Sequence, residues 1–178
     1  DPTSYCATGQ CKRGRLAFIS GQTFAPTWGG LAGADTICTN LKTDAGLSGT
    51  FKAWLSSDAG SPSTRFNRDG GTWIRMSDKA VVATSWADLT TAPTYPNAMI
   101  VYDEKNRNVT SGYRGVWTGT NPDGTLAPGA STCANWSTAD AGTTGWMGIC
   151  DYTTDTWTQV NGGAGPCNTA AHVYCFEQ

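Results

Sequence analysis

Oxygen donors suited to Ca²⁺ gather in the last third of the chain. The run Asn121-Pro122-Asp123 places an amide and a carboxylate on either side of a proline, and Ca²⁺ accepts both kinds of oxygen. Asp151 and Asp155 add carboxylates to the same region. Asn-Pro-Asp-Gly also has the composition of a β-turn. We therefore expect no cofactor, and keep two alternatives: a sugar-binding Ca²⁺ site at the triplet, or a structural Ca²⁺ among the carboxylates.

Tryptophans provide a second kind of candidate binding group. Four of them, Trp117, Trp136, Trp146 and Trp157, fall in the glycine- and threonine-rich last third. An exposed indole gives a binding site a large contact area at low entropic cost. We expect Trp117 and Trp136 in the core. Trp146 and Trp157 have Gly and Thr neighbours, so we predict that they are exposed and contact a ligand.

Catalytic chemistry has little support in the sequence. Its single histidine, His172, lies in a strand-like pattern, which favours a structural ring over a Ser-His-Asp arrangement. The sequence has no Cys-x-x-Cys metal pair and no glycine-rich phosphate loop that leads into a helix. A cysteine-dependent enzyme using Cys150 is the remaining alternative, but no basic residue lies near it in sequence. We predict that the protein is not an enzyme.

Seven cysteines in 178 residues indicate an oxidising compartment. Cys6 and Cys11 bracket a turn-like spacer, so we predict a local bridge within an N-terminal hairpin or arm at 1–14. One cysteine must be left over. Spacing alone does not fix the pairing of the others.

The elements that position these groups follow from hydrophobic spacing. Ala34, Cys38 and Leu41 recur at helical intervals, which predicts a helix over 31–45 with Gly46 at its C-terminal cap. Strands are predicted at 15–20, at 51–55, in a hairpin formed by 73–76 and 79–82, and in a half-buried final segment at 171–178. The apolar run 98–102 should be central. Residues 15–178 then form one domain.

The charge balance restricts the partners. Twelve basic residues stand against fourteen acidic ones, and charged residues make up only 15% of the chain. Nucleic-acid binding is therefore not expected. No apolar run is long enough to span a membrane, so membrane insertion is not expected either.

Three sequence blocks together resemble a known family. The first block consists of Gly-Ala-Asp-x-x-Cys, which ends at Cys38, and Gly-Thr-Phe-x-Ala, which ends at Ala53. The second block runs from Val116 to Trp136. The third is Cys167 followed by Cys175-Phe-Glu. The pattern resembles the endostatin domain of collagens XV and XVIII, and a bacterial family of surface-associated domains of unknown function. The low charge favours the bacterial family. The resemblance implies an α+β, C-type-lectin-like fold: a helix on a small twisted antiparallel sheet, with a long loop-rich C-terminal lobe.

The resemblance also implies two long-range disulfides, Cys38 with Cys175 and Cys133 with Cys167, which leave Cys150 unpaired. A bridge from Cys38 to Cys175 would contribute about 4–5 kcal/mol in the chain-entropy description. Two features of these families are weak or missing. A histidine-rich zinc site is excluded because the chain has one histidine, and scattered arginines support only a weak polyanion site.

From the resemblance we expect a non-catalytic, extracellular recognition or adhesion domain that binds a glycan or a protein on a cell surface or matrix. It would be the terminal module of a larger bacterial surface or secreted protein, and an upstream stalk would allow oligomers to form. A calcium-dependent lectin using Asn121 and Asp123 is the main alternative. The sugar-binding lectins of this fold also need Asn-Asp after a tryptophan, whereas Thr158 and Gln159 follow Trp157 here.

Overall fold

The structure is a computed structural model of mixed α+β class, and it describes residues 3–7, 9–93, 95–129, 131–160 and 163–178. The strands in chain order are β1 (Ser4–Ala7), β2 (Gln10–Arg13), β3 (Arg15–Ile19), β4 (Phe51–Ala53), β5 (Trp73–Arg75), β6 (Val81–Ala83), β7 (Gly115–Trp117), β8 (Thr144–Ile149), β9 (Ala164–Pro166) and β10 (Tyr174–Glu177). The helices are α1 (Leu31–Asp44), α2 (Pro62–Arg65), α3 (Trp86–Thr90) and α4 (Cys133–Trp136), the last a single turn whose four residues all have positive φ.

A five-stranded sheet in the order β4-β10-β3-β5-β6 forms the centre of the molecule. The expectation of a purely antiparallel sheet is wrong, because β3 and β5 run parallel. The long connection between them contains α1, β4 and α2, which gives the chain enough length to return and run in the same direction. The predicted hairpin of β5 and β6 is confirmed.

Strand β10 lies between β3 and β4 and is antiparallel to both. The prediction of a half-buried final strand is wrong, because all four of its residues are buried. One apolar cluster covers the sheet on the side of Cys175, and a second covers it on the side of Tyr174 and Phe176. Two-sided burial explains why Glu177, only 2% exposed, uses its carboxylate to accept the Leu16 amide and to pair with Arg13.

Helix α1 confirms the predicted amphipathic spacing. Leu31, Ala34, Cys38 and Leu41 are its buried residues, and all four belong to the first apolar cluster. Gly46 has φ of 68°, which is the left-handed conformation expected just beyond a helix end. The Leu47 and Gly46 amides donate to the carbonyls of Lys42 and Thr43, which satisfies two carbonyls of the last turn.

All seven cysteines lie among the described residues, and six of them pair as predicted. The disulfides join Cys6 to Cys11, Cys38 to Cys175, and Cys133 to Cys167. Cys150 is the unpaired cysteine and is fully buried. These disulfides indicate a protein that folds outside the reducing cytoplasm. In the described part of the chain, no helix is long and apolar enough to cross a membrane.

The N-terminal segment forms the predicted stapled hairpin, in which β1 pairs with β2. Residues 1, 2 and 8 of the predicted arm lie outside the described residues. The apolar run 98–102 is only partly central: Ile100 and Val101 are buried but belong to no strand, and Met99 is 42% exposed.

A second sheet, β7-β8-β9, forms within the region expected to be loop-rich. Sequence analysis anticipated neither β8 nor β9, because glycines at 145, 148, 163 and 165 remove the apolar alternation of a strand. Backbone hydrogen bonds of 3.0 Å tie this sheet to the chain end: the Trp117 amide donates to the His172 carbonyl, and the His172 amide donates to Gly115. The second sheet is therefore anchored directly to the segment that leads into β10.

The Cys38–Cys175 disulfide closes a long loop and should therefore contribute more to the free energy of unfolding than the short Cys6–Cys11 disulfide. The Cys38→Ala/Cys175→Ala double variant removes a bridge across 137 residues, and Cys6→Ala/Cys11→Ala removes one across 5. We expect the free energy of unfolding to fall by about 5 kcal/mol in the first and about 2 kcal/mol in the second, because loop-closure entropy grows with loop length. Urea unfolding measures both. Equal losses would contradict this ranking.

Candidate functional site

The Asn121-Pro122-Asp123 triplet forms a closed turn. The Gly124 amide donates to the Asn121 carbonyl at 2.9 Å, as in a β-turn. One oxygen of the Asp123 carboxylate accepts from both the amide and the hydroxyl of Thr125, at 2.9 and 2.6 Å. The Asn121 side-chain amide donates to the Thr125 hydroxyl at 3.1 Å. The polar groups of the triplet thus hold the loop together.

The other carboxylates do not gather around the triplet. Asp151 pairs with the guanidinium of Arg114. Asp155 begins a short 3-10 turn, where its carbonyl accepts the amides of Thr158 and Gln159 at 3.1 and 2.9 Å. Among the described residues there is no group of three or more His, Cys, Asp or Glu that could hold a metal ion.

The two tryptophans proposed as ligand contacts have different environments. The expectation that Trp157 is exposed is wrong, because its indole is 1% exposed. Its ring lies 4.7 Å from that of Trp54 and 5.5 Å from that of Tyr174, within an aromatic cluster beneath the sheet. Trp146 lies on β8 and is half-buried. Trp117 and Trp136 are fully buried, as predicted.

The single histidine has a structural role, as predicted, although it precedes β10 instead of lying in it. The His172 ring is 5% exposed. Its Nδ1 lies 2.7 Å from the Ser20 carbonyl and its Nε2 lies 2.9 Å from the Tyr113 carbonyl. The ring therefore bridges two loops.

Most arginines are paired with carboxylates, which agrees with the expectation of a weak polyanion site. Salt bridges join Arg13 to Glu177, Arg65 to Asp35, Arg75 to Asp78, Arg107 to Asp103, and Arg114 to Asp151. Arg15 is 3% exposed, and its guanidinium carbon lies 3.6 Å from the ring centre of Trp73. The structure therefore gathers no unpaired arginine cluster from these side chains.

Burial makes Cys150 a poor nucleophile. Desolvation by burial, with a smaller contribution from the nearby Asp151 carboxylate, raises the pKa of its thiol to about 12. The thiol therefore stays protonated at neutral pH, whereas nucleophilic chemistry requires the thiolate.

The strongest surface feature is a residue that sequence analysis did not select. Tyr113 is 48% exposed and lies two residues before Gly115, the first residue of β7. A methyl group added at Gly115 would lie 2.6 Å from Cε1 and from Oη of Tyr113, so the ring rests directly on the glycine backbone. The phenol donates to the Met147 sulfur at 3.8 Å, and burial raises its pKa. One side of the ring is thus supported by the sheet while much of the ring faces solvent.

Tyr113 lines two depressions. The first is an apolar groove of about 440 Å³. Its lining includes the side chains of Tyr113, Arg114, Met147, Ile149, Val160 and Ala164, and glycines at 115, 148, 163 and 165. The second is a polar hollow of about 620 Å³. Side chains along the hollow include Gln22, Thr23, Arg107, Asn108, Ser111 and His172. We call Tyr113 and these two depressions the Tyr113 surface.

Charge around the Tyr113 surface is largely internally balanced. Arg114 at the edge of the apolar groove pairs with Asp151, and Arg107 at the polar hollow pairs with Asp103 at 2.7 Å. Glu104 lies nearby, 5% exposed, and accepts the Gly21 amide. The surface therefore suits a ligand that makes neutral hydrogen bonds and apolar contacts.

A signal for Tyr113 was present in the sequence. Gly112 and Gly115 flank the Tyr113-Arg114 pair, and Gly and Thr neighbours were the reason for selecting Trp146 and Trp157. Restricting the search to tryptophan missed it. The contribution of Met147 and Val160 could not be found from the sequence, because only the pairing of β7 with β8, and the backbone hydrogen bonds of Val160 and Gly163 to Met147, bring them to Tyr113.

A model of a family described as a protein of unknown function, DUF1554, matches residues 21–153. The chain belongs to the DUF1554 family. No curated protein matches the chain. The DUF1554 match includes α1, Tyr113 and Met147, but β3, β9 and β10 lie outside it. The folded unit therefore extends beyond the matched range at both ends, because β3 and β10 are inner strands of the main sheet.

Alkylation measures the accessibility of Cys150 in this DUF1554 domain. Iodoacetamide at pH 8 should leave Cys150 unmodified in the native protein and modify it fully in urea, because burial raises the pKa of the thiol to about 12. Mass spectrometry of the intact chain reads both states. Rapid modification of the native protein would contradict the assignment of Cys150 as a buried, unreactive thiol, and would favour the alternative of a cysteine-dependent enzyme.

Proposed function

We propose that this DUF1554 domain is a non-catalytic recognition domain that binds a glycan on a cell surface or matrix through the Tyr113 surface. The observation that carries the proposal is the half-exposed Tyr113 ring, held on Gly115 between an apolar and a polar depression. An aromatic ring fixed in this way offers an apolar face to a sugar ring, while neighbouring polar groups bind its hydroxyls.

The endostatin-like, C-type-lectin-like fold is part of this proposal. Two observations support it: the α+β architecture, and the disulfides from Cys38 to Cys175 and from Cys133 to Cys167, which the resemblance implied. The domain would then act outside the cell, as a module of a larger bacterial surface or secreted protein.

A glycan is favoured over a protein partner by the size of the surface. Stable protein interfaces bury about 800 Å² per partner and usually contain several large apolar anchors. Among the described residues, the exposed large apolar side chains are Met99, Tyr113 and Tyr152. Of these, only Tyr113 lines either depression. Depressions of a few hundred Å³ match small ligands or short oligosaccharides.

A glycan array with the Tyr113→Ala variant tests the proposal. We expect the wild-type domain to bind a set of glycans and the variant to lose about tenfold or more in affinity, because the stacking platform is removed. Tyr152→Ala is the matched control, since Tyr152 is similarly exposed, at 45%, but lines neither depression. Its binding should equal that of the wild type.

Three results would reject parts of the proposal. Absence of any glycan binding, or equal loss in both variants, would reject the Tyr113 surface as a glycan site. Capture of a protein ligand that depends on Tyr113 would replace the glycan with a protein partner. Loss of binding after chelation, together with loss in Asn121→Ala, would favour the calcium-dependent lectin.

The support of Tyr113 by Gly115 yields a further expectation. In Gly115→Ala, the new methyl group would lie 2.6 Å from the Tyr113 ring and 2.7 Å from Cε of Met147, so the ring must move. We expect glycan affinity to fall by about as much as in Tyr113→Ala, with the far-ultraviolet circular dichroism unchanged. Gly142→Ala is a suitable control, since its nearest neighbour would be an Asp140 carboxylate oxygen at 3.4 Å. Wild-type affinity in Gly115→Ala would show that the position of the ring does not matter.

A further inference from the structure

The apolar groove has a chemical character that an ordinary sugar hydroxyl does not match. Met147, Ile149 and Val160 face it together with the Tyr113 ring. Met147 is 7% exposed, so its sulfur and methyl carbon form a nearly buried wall. A hydroxyl placed against such a wall loses hydrogen bonds to water without replacing them. The group that fits is small and apolar.

Two glycines allow the apolar side chains of the groove to pack against the main chain. A methyl group added at Gly165 would lie 2.5 Å from the Met147 sulfur, and one at Gly163 would lie 2.4 Å from Cβ of Val160. Glycine at these two positions therefore lets the two apolar side chains lie against the backbone. The groove keeps its depth as a result.

The polar hollow, which Tyr113 also lines, has the complementary chemistry. Gln22, Thr23, Asn108 and Ser111 offer neutral donors and acceptors there. Because Gly112 and Tyr113 line both depressions, a ligand lying over the Tyr113 ring can reach both at once. Such a ligand must be apolar at one end and rich in hydroxyls at the other.

We infer that the Tyr113 surface selects glycans that carry a methyl group, either the acetamido methyl of an N-acetylated amino sugar or the ring methyl of a 6-deoxy sugar, and that this methyl occupies the apolar groove. The inference rests on the proposed function. The paired states of Arg107 and Arg114 favour a neutral sugar over a uronic or sialic acid.

Two matched sugar pairs separate the methyl group from the rest of the ligand. Chitobiose carries acetamido groups where cellobiose carries hydroxyls, and L-rhamnose is L-mannose without one hydroxyl oxygen. The methylated member of each pair should bind about four- to tenfold more tightly, which is the range for one buried methyl group. A preference confined to the chitobiose pair would assign selection to the amide instead, and would overturn the inference.

Methionine methyl NMR locates the bound sugar. The chain has three methionines: Met147 lines the groove, Met99 is 42% exposed elsewhere, and Met76 is 9% exposed in the core. With ¹³C-labelled methionine methyls, titration with chitobiose or L-rhamnose at millimolar concentration should shift the Met147 signal and leave the other two unchanged. No shift at Met147 with either sugar would overturn the inference.

A conservative variant tests the groove itself. Val160→Thr keeps the branched shape but replaces one methyl group with a hydroxyl, and Val160 is half-buried, so the fold should tolerate it. We expect the variant to lose the preference within each pair, with the Met76 and Met99 signals unchanged. If the variant keeps the full preference for the methylated sugar of each pair, the methyl group of the sugar does not bind in the apolar groove. If the array finds only glycans without methyl groups and Tyr113→Ala abolishes their binding, this inference fails while the proposed function stands.

Discussion

The structure depends on the insertion of the last strand between β3 and β4. Because β10 is covered on both faces, its three apolar residues join the two apolar clusters, and the Cys38–Cys175 disulfide fixes it to α1. Since β10 is the strand that joins β4 to β3, the sheet is completed by contacts between the end of the chain and its first third. Burial at this position also explains Glu177, whose carboxylate is satisfied by the Leu16 amide and Arg13.

The same constraint fixes the Tyr113 surface. The segment leading into β10 carries His172, whose backbone binds Gly115 and Trp117 and whose ring contacts the carbonyls of Ser20 and Tyr113. Gly115 is therefore held against the main sheet by the segment that leads into β10. Tyr113 rests on that glycine, so its ring is supported by the sheet even though it lies in a loop.

Aromatic residues differ by size in where they lie: most tryptophans fill the core, and the well-exposed rings are tyrosines. Trp54, Trp73, Trp117, Trp136 and Trp157 are fully buried, and four of their indole nitrogens donate hydrogen bonds, to Thr158, Glu177, Phe24 and Ser56. These rings fill the space beneath short strands that cannot supply a large aliphatic core. The tyrosines at 113 and 152 are the aromatic rings that remain well exposed among the described residues. In the proposed function, surface recognition uses a smaller ring that already has a polar end.

Local patterns in the sequence determined the elements whose reasons are local. The spacing of Ala34, Cys38 and Leu41 with Gly46 fixed α1, and the short spacer between Cys6 and Cys11 fixed the hairpin. Resemblance supplied the long-range disulfides. Tertiary structure alone decided that Trp157 is buried, that β10 is covered on both faces, and that β8 and β9 exist. It also decided the Tyr113 surface, because Met147 and Val160 approach Tyr113 only through strand pairing and loop contacts. A sequence shows which residues prefer burial. Which of them are actually buried depends on contacts with residues distant in sequence, because the interior has room for only some of them.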